Sequence, residues 1–522
     1  MSYRAFDEPR PTQVRTRPEE FAAGGVAGGN TRAPRSVPGT AAAGGASPTV
    51  KEAEGVGWRG GPGWGYAAGV GGVGQVGRVV VVGGGFSGLA AALALARAGW
   101  DVRVVEARER VGGRTLTRWL PDGTQLDLGA QWLGPTQDRM YALVAEHGLT
   151  TFPSAALGTP VLRWDGERRP EPPESTARVL ARLDALAARL DPAAPWLAAE
   201  APEWDRLPLS GWLAEAAGDP AGARYLGRLL AGGLLATGPD EISLLQMLFY
   251  LRSGGGSALL LGMAGGAQQD RVVGGPAALA ERMAQRLAAT VGPGALCLGA
   301  PVTVIAQDAG GVLVRTDRDA YPADAAVVAV APALAGRIRY DPPLPALRDG
   351  LTQRMPMGSA VKVHALYPEP FWRAGGLSGV GTSATGPVTE TVDNGTPDST
   401  RGVLTAFSYG DEARELRGMS PDARRAAVLD ALVAMVGPDA ARPDGFVEYD
   451  WSADPYTRGC FCGSLTPGSW RGYGPALRPP VGRVHWAGTE TAVGWTGYLE
   501  GAVRAGERAA AEVQASADGE PG

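Results

Sequence analysis

Residues 77 to 107, GRVVVVGGGFSGLAAALALARAGWDVRVVEA, restrict what this chain can fold into more than any other stretch. Val79 to Val82 form a strand with no polar face, the pattern of a strand covered on both sides in a parallel sheet. Leu89 to Ala98 is rich in strong helix formers, and Gly99 is suited to ending that helix. Asp101 to Val105 reads as a second strand, closing at Glu106. The three pieces make one βαβ unit. Between strand and helix lie Gly83, Gly85 and Gly88, and each has a physical task. The first permits a tight turn and the second lets backbone approach a pyrophosphate. The third lets the helix pack close to the strand, with its N-terminus toward the phosphates. In a chain with 78 glycines the spacing alone would carry little. Its place between strand and helix, with Glu106 where a carboxylate can accept from ribose hydroxyls, points to NAD or the AMP half of FAD. Taken alone, Glu106 would be an ordinary surface carboxylate.

The remainder of the chain narrows the class. At 522 residues it exceeds one ordinary core, so two or three domains are expected. A net charge of -5, with no long Lys/Arg block, argues against nucleic acid as a partner. Three cysteines (Cys297, Cys460, Cys462) and three histidines (His147, His364, His485) build neither a disulfide framework nor a His/Cys metal centre. No run reaches ~18 apolar residues and the N-terminus has no apolar leader, so no membrane contact and a cytoplasmic protein are expected. Residues 1–76 are Gly, Ala, Pro and Arg without hydrophobic periodicity and are expected to be a disordered tail, as are residues 514–522. STARVLARLDALAARL reads as an amphipathic helix with Val179, Leu183, Leu186 and Leu190 on one stripe. PADAAVVAVAP (322–332) reads as one buried strand, GRVHWAGTE as a strand entering a turn, and GYLEGAVRAGERAAAEV (497–513) as a helix. The far end thus returns to nucleotide-domain-like pieces.

One side chain stands out by its rarity. Of the 49 Lys and Arg residues only two are lysines, Lys51 and Lys362. Lys362 lies in SAVKVHAL, flanked by Val361 and Val363. Lysine changes its pKa readily when buried and arginine does not. The stretch also alternates, so an edge strand holding Ser359, Lys362 and His364 near solvent fits it as well.

Downstream of the βαβ unit come EARERVGGRTLT and LDLGAQWLGPTQDR, and near the end WAGTETAVGWTGYLEGAVRAGERAA. With MGSAVKVHALYPEPFW and DWSADPYTRGCFCGSLTPG, these segments resemble the flavin-containing monoamine oxidase family over about 78–513. The resemblance implies a mixed α/β fold, with a Rossmann-like FAD-binding domain (77–151, 273–351 and 454–513) interleaved with a substrate-binding domain (152–272 and 352–453). It implies FAD rather than NAD. On the same resemblance the cofactor is held by Gly83, Gly85, Gly88, Glu106, Arg114, Val302, Gly488 and Glu490, with Glu490 on the ribityl and phosphate chain. Gly129, Ala130, Gln131 and Trp132 run past the flavin ring. The helix after Tyr498, through the N–H of Leu499, faces the pyrimidine side of the ring, where negative charge collects on reduction.

The implied activity is oxidation of a small amine to an imine, with O2 reduced to hydrogen peroxide. Lys362 matches the family lysine that holds a water beside the flavin. Phe461 and Tyr498 match two rings flanking the amine, the family pair usually being two tyrosines. Trp451 matches a flavin-facing tryptophan, and Gln268 and Leu261 match pocket-lining positions. Cys460 aligns with a cysteine that in some members bonds the flavin covalently. Arg458 and Phe461 depart from the animal enzymes, which leaves that bond open, and a packing role for both cysteines stands beside it. An amino-acid oxidase or natural-product dehydrogenase on the same fold is the alternative. Relatives acting on amino acids carry an arginine where Gln131 and Trp132 stand. A non-catalytic flavoprotein scaffold is a third reading. A homodimer is compatible with all three.

Overall fold

The computed structural model describes residues 77–155 and 157–519; the proposed N-terminal tail lies outside them. A five-stranded, all-parallel sheet has the order Leu296–Cys297, Asp101–Val105, Arg78–Val82, Ala325–Val328, Val484–Trp486. Its strands come from three widely separated stretches, so the fold cannot close until the last part of the chain arrives. The apolar run Val79–Val82 is explained by its neighbours. Val79 and Val81 pack with Leu89, Leu93 and Leu95 on one face, while Val80 and Val82 pack with Ile305, Val484 and Trp486 on the other. Burying each valine contributes about 1.5–3 kcal/mol.

The first helix spans Phe86–Arg97 and so begins inside the glycine turn, three residues before the expected start. Gly88 therefore lies in the helix, where an added Cβ would stand 1.9 Å from the Gly83 carbonyl oxygen. Only glycine permits that approach. The closing helix, Leu499–Ala517, packs along the first, and Gly506 brings its backbone against Ser87 in the same way. This helix continues past 513, and Val513 is buried, which corrects the expected disorder from 514 to at least Ala517. The single strand expected over 322–332 is two strands in different sheets, Ala320–Ala323 and Ala325–Val328.

A second sheet of seven strands has the order Gly445–Asp450, Ala360–Tyr367, Gly402–Tyr409, Glu390–Asp393, Leu377–Ser383, Thr159–Arg163, Arg168–Arg169. The lysine strand Ala360–Tyr367 is paired on both sides, antiparallel to Gly402–Tyr409 and to Gly445–Asp450. The edge-strand reading is thereby corrected: Ser359, Lys362 and His364 are all buried. His364 Nδ1 lies 2.7 Å from Thr405 Oγ1, while its Nε2 is buried without a protein partner. A helical layer, including Ser175–Ala187, Leu209–Ala217 and Leu244–Ser253, forms the largest core, with Val179 and Leu183 fully enclosed. Among the described residues no helix is long and apolar enough to cross a membrane.

Candidate active site

One cavity runs from the glycine turn to the face of the seven-stranded sheet. Gly83, Gly85, Glu106, Arg108 and Arg114 line its first part. The Glu106 carboxylate closes the turn, accepting from the Gly84 N–H at 2.6 Å and the Arg108 N–H at 2.9 Å. A carboxylate has capacity for further donors, so Glu106 both shapes the turn and remains open to the cavity. The turn also places the N-terminus of Phe86–Arg97 at the wall, a ready anion site. Gly88 does not reach the lining; its part is the close packing described above. Val302 does not line the cavity either. It opens the strand Val302–Asp308 and packs against the cluster beneath the parallel sheet, so no side-chain contact places it with the cofactor residues.

Arg114 links the two ends of the site. Its Nη1 donates to Glu490 Oε1 and to the Phe461 carbonyl, each at 2.6 Å. Burial opposes the Arg114 charge, but Glu490 overrides it and the pKa is raised. Glu490 is itself enclosed behind the lining and also accepts from the Gly463 N–H at 3.2 Å. It therefore neutralises Arg114 instead of facing the cavity, which corrects the role expected for it. Phe461 has φ +54, a left-handed conformation that costs a non-glycine residue energy. The Arg114 hydrogen bond to its carbonyl holds that backbone, and with it the ring, in place.

The far part of the cavity is aromatic. Phe461 meets Tyr409 edge-on at 5.6 Å, Tyr409 stacks on Phe407 at 5.9 Å, and Phe407 meets Trp132 at 5.9 Å. Tyr498 lines the same cavity, with its ring 4.9 Å from Trp495 and 6.1 Å from Tyr250. Leu499 and Ala502 follow it, so the first turn of the closing helix opens at the wall. Gly488 lines the cavity with φ +96, its N–H donating to Ser87 Oγ at 2.8 Å. Trp451 donates to the Leu128 carbonyl at 2.8 Å and packs against Gly129, and Gly129 to Trp132 line the cavity in sequence. Leu261 and Gln268 are lining residues as expected; Gln268 Nε2 donates to the Leu260 carbonyl at 3.0 Å, while Oε1 has no protein partner. Cys460 lines the cavity, whereas Cys462 belongs to the helical core, and burial pushes both thiols up.

Lys362 lines the cavity from the sheet. Nζ donates to the Gly129 carbonyl at 3.0 Å and to Gln131 Oε1 at 2.5 Å, and lies 5.2 Å from the centre of the Phe407 ring. Burial lowers its pKa to about 7, with Asp127 opposing and Arg271 reinforcing the shift. A second ionisable group, not identified from the sequence, faces the same space. Glu390 lines the cavity and accepts from the Tyr409 hydroxyl at 2.8 Å. Burial raises its carboxyl to about 7. Strand register explains why the two are neighbours: Phe407 is directly opposite Lys362 on one side and Glu390 on the other. Directly paired residues point to the same face, so Lys362 and Glu390 stand two strand spacings, about 10 Å, apart. A single π-helical turn, Arg228–Gly232, brings Gly233 against the Glu390 carboxylate. Glu390 sits in VTETVDNG, a polar run with no motif spacing, so nothing local marked it.

A glycine turn at a helix N-terminus, opening into one long cavity that holds two buried ionisable groups, is the arrangement of a dinucleotide-binding protein with a candidate active site. The comparisons give the particular family. The flavin containing amine oxidoreductase profile matches residues 86–514, and the pyridine nucleotide-disulphide oxidoreductase profile matches 23–123 around the turn. A protein of Dictyostelium discoideum named probable flavin-containing monoamine oxidase A is 37% identical over 84% of this chain and 97% of its own. An L-amino acid dehydrogenase of a Synechocystis strain is 37% identical over 83% and 93%. The solved structure of wild-type putrescine oxidase bound to putrescine superposes with a TM-score of 0.80 at 35% identity, over 84% of this chain and 99% of that one. The chain belongs to the flavin-containing amine oxidoreductase family, and it is an FAD-dependent amine oxidase.

The residues present fit FAD. The glycine turn and Glu106 offer the contacts that an adenosine diphosphate half requires. The helix N-terminus after Tyr498 and the Gly129–Trp132 segment border the part where a flavin ring would lie. Among the described residues no group of His, Cys, Asp and Glu could hold a metal ion.

Proposed function

We propose that the protein oxidises a primary amine carrying a second cationic group, a short diamine, to the imine, which water converts to aldehyde and ammonia while O2 becomes hydrogen peroxide. FAD, when bound, accepts the hydride leaving the carbon that bears the nitrogen. The observation that carries the substrate reading is Glu390: a carboxyl in an aromatic stretch, held near half-protonation at neutral pH until a cation pairs with it. The putrescine found in the solved relative is such a diamine and supports the reading.

The other roles are those the family resemblance implies, and the lining of one cavity by these residues supports them. Phe461 and Tyr498 flank the reacting amine and exclude water, and Trp451 holds the flavin-side wall. Gln268 and Leu261 line the substrate side of the cavity. Lys362 holds or moves a proton at Nζ next to the flavin. Cys460 is the residue through which flavin would be tethered. The cofactor half comprises 77–151, 273–351 and 454–513; a cytoplasmic, homodimeric enzyme completes the reading. The amino-acid alternative has one relative's name behind it. Against it, a substrate carboxylate would meet the like charge of Glu390, and Gln131 and Trp132 offer it no arginine.

The test is peroxide release from 1,4-diaminobutane and from n-butylamine. Glu390→Gln should lower kcat/KM for the diamine by about 2–4 kcal/mol, ~30- to 1,000-fold, the range for losing one partner of a desolvated charge pair. Butylamine should be nearly unaffected. Equal effects on both amines would refute the distal-cation reading.

A further inference from the structure

Lys362 is held from two sides, and the second holder is itself latched. The Gln131 side chain is buried, and its Nε2 donates to Asn394 Oδ1 at 2.8 Å. Asn394 Nδ2 returns a longer hydrogen bond, 3.3 Å, to Gln131 Oε1. The Asn394 carbonyl accepts from Arg271 Nη1 at 2.8 Å, and Arg271 Nη2 pairs with Asp127 at 2.8 Å, both side chains enclosed. Asn394, Arg271 and Asp127 stand behind the lining, whereas Gln131 and Lys362 are in it. A lysine ammonium only donates, so the Gln131 amide must turn its oxygen to Nζ and its NH2 to Asn394.

We propose that Gln131 is a positioning residue: latched by Asn394, it joins the Gly129 carbonyl in occupying two of the three Nζ directions and leaves the third, where Lys362 gains and loses its proton, pointing into the cavity. The two atoms facing Nζ, the Gly129 carbonyl oxygen and Gln131 Oε1, only accept. Neutral Lys362 gives its two N–H groups to them and turns its lone pair to the cavity; charged Lys362 presents an N–H there instead. The geometry is the same in both states, and only the cavity side changes. The groups around it set the balance. Asp127 favours the charge and Arg271 opposes it. His364, on the same strand, is kept neutral by burial, and Tyr449 faces Lys362 from the neighbouring strand. Glu390 lies two strands away. The inference rests on reading Lys362 as the proton-handling group.

The rarity of lysine supplies a direct readout. Holoenzyme grown on lysine labelled with 13C at Cε gives two lysine signals, and Lys51→Arg assigns them. The Lys362 signal should titrate near neutrality. Gln131→Glu, which places a carboxylate against Nζ, should raise that titration by about one unit or more. Gln131→Leu, which removes the acceptor, should lower it. Asn394→Ala, which leaves Gln131 unlatched, should lower it by less. The pH profile of flavin reoxidation should move the same way in each variant. A Lys362 titration unchanged in Gln131→Glu and in either of the other variants overturns the proposal. The signal is read without substrate, so this outcome leaves the amine panel standing, and failure of the panel leaves the titration standing.

Discussion

Replacing Lys362 by Met removes a cation that folding disfavours, and the consequence can be worked out from the site. Burial lowers the Lys362 pKa from 10.5 to about 7, against the pull of Asp127. At about 1.4 kcal/mol per unit, keeping the proton at low pH costs the folded state of order 5 kcal/mol. Between pH 7 and 10.5 the unfolded chain binds this proton and the folded one does not. Wild-type stability therefore rises with pH across that window, by up to ~1.4 kcal/mol per unit. Methionine has no proton to lose, so Lys362→Met lacks the rise. The substitution also leaves the Gly129 carbonyl without the Lys362 donor, roughly 1–3 kcal/mol, and Gln131 Oε1 with only the 3.3 Å bond from Asn394, but that loss does not depend on pH. The two effects separate by slope. For the ~440 residues described, an unfolding entropy of ~2.1 cal/mol/K per residue converts the slope to ~1.5 °C per pH unit. Calorimetric Tm values of both holoenzymes at pH 7, 8, 9 and 10 should show wild type gaining on the variant at each step. A constant difference would mean that Lys362 keeps its proton throughout, and would refute the burial argument.

Glu390 should act in the opposite window. Its folded pKa is raised from 4.5 to about 7, so the stability it contributes is present below 4.5 and lost as pH rises through 7; Glu390→Gln should flatten the fall in Tm between pH 5 and 7. Arg114→Met leaves the enclosed Glu490 without its cation and should cost about 3–5 kcal/mol in denaturant unfolding. Adding Glu490→Gln should recover part of that cost, and no recovery would place the loss elsewhere. Tyr498→Ala should lower kcat/KM per bound flavin by about 1–2 kcal/mol, ~5- to 30-fold, with flavin content nearly unchanged. Normal kinetics per flavin with a lowered Tm would make Tyr498 a packing residue of the helix start.

The glycine turn, both strands beside it and the closing helix were legible because their determinants are local. Gly83 needs a positive φ, Gly88 must admit the Gly83 carbonyl, and four successive valines need cover on both faces, whatever the rest of the chain does. The rarity of lysine made Lys362 conspicuous, but not its burial. SAVKVHAL alternates identically at an edge and in an interior, and it is Gly445–Asp450, some 80 positions onward, that covers the strand. Glu390 faces Lys362 only because two separate pairings both centre on Phe407, and the register of distant strands is a property of the assembled sheet. Glu490 shows the same limit from the other side. Its turn motif read correctly, yet whether its carboxylate faced the cavity or Arg114 depended on where a segment 376 residues earlier came to rest. Backbone conformation and periodicity are set by near neighbours, so sequence carries them. The partner of a charge is set by tertiary packing, because buried charges go wherever the fold leaves a counter-charge.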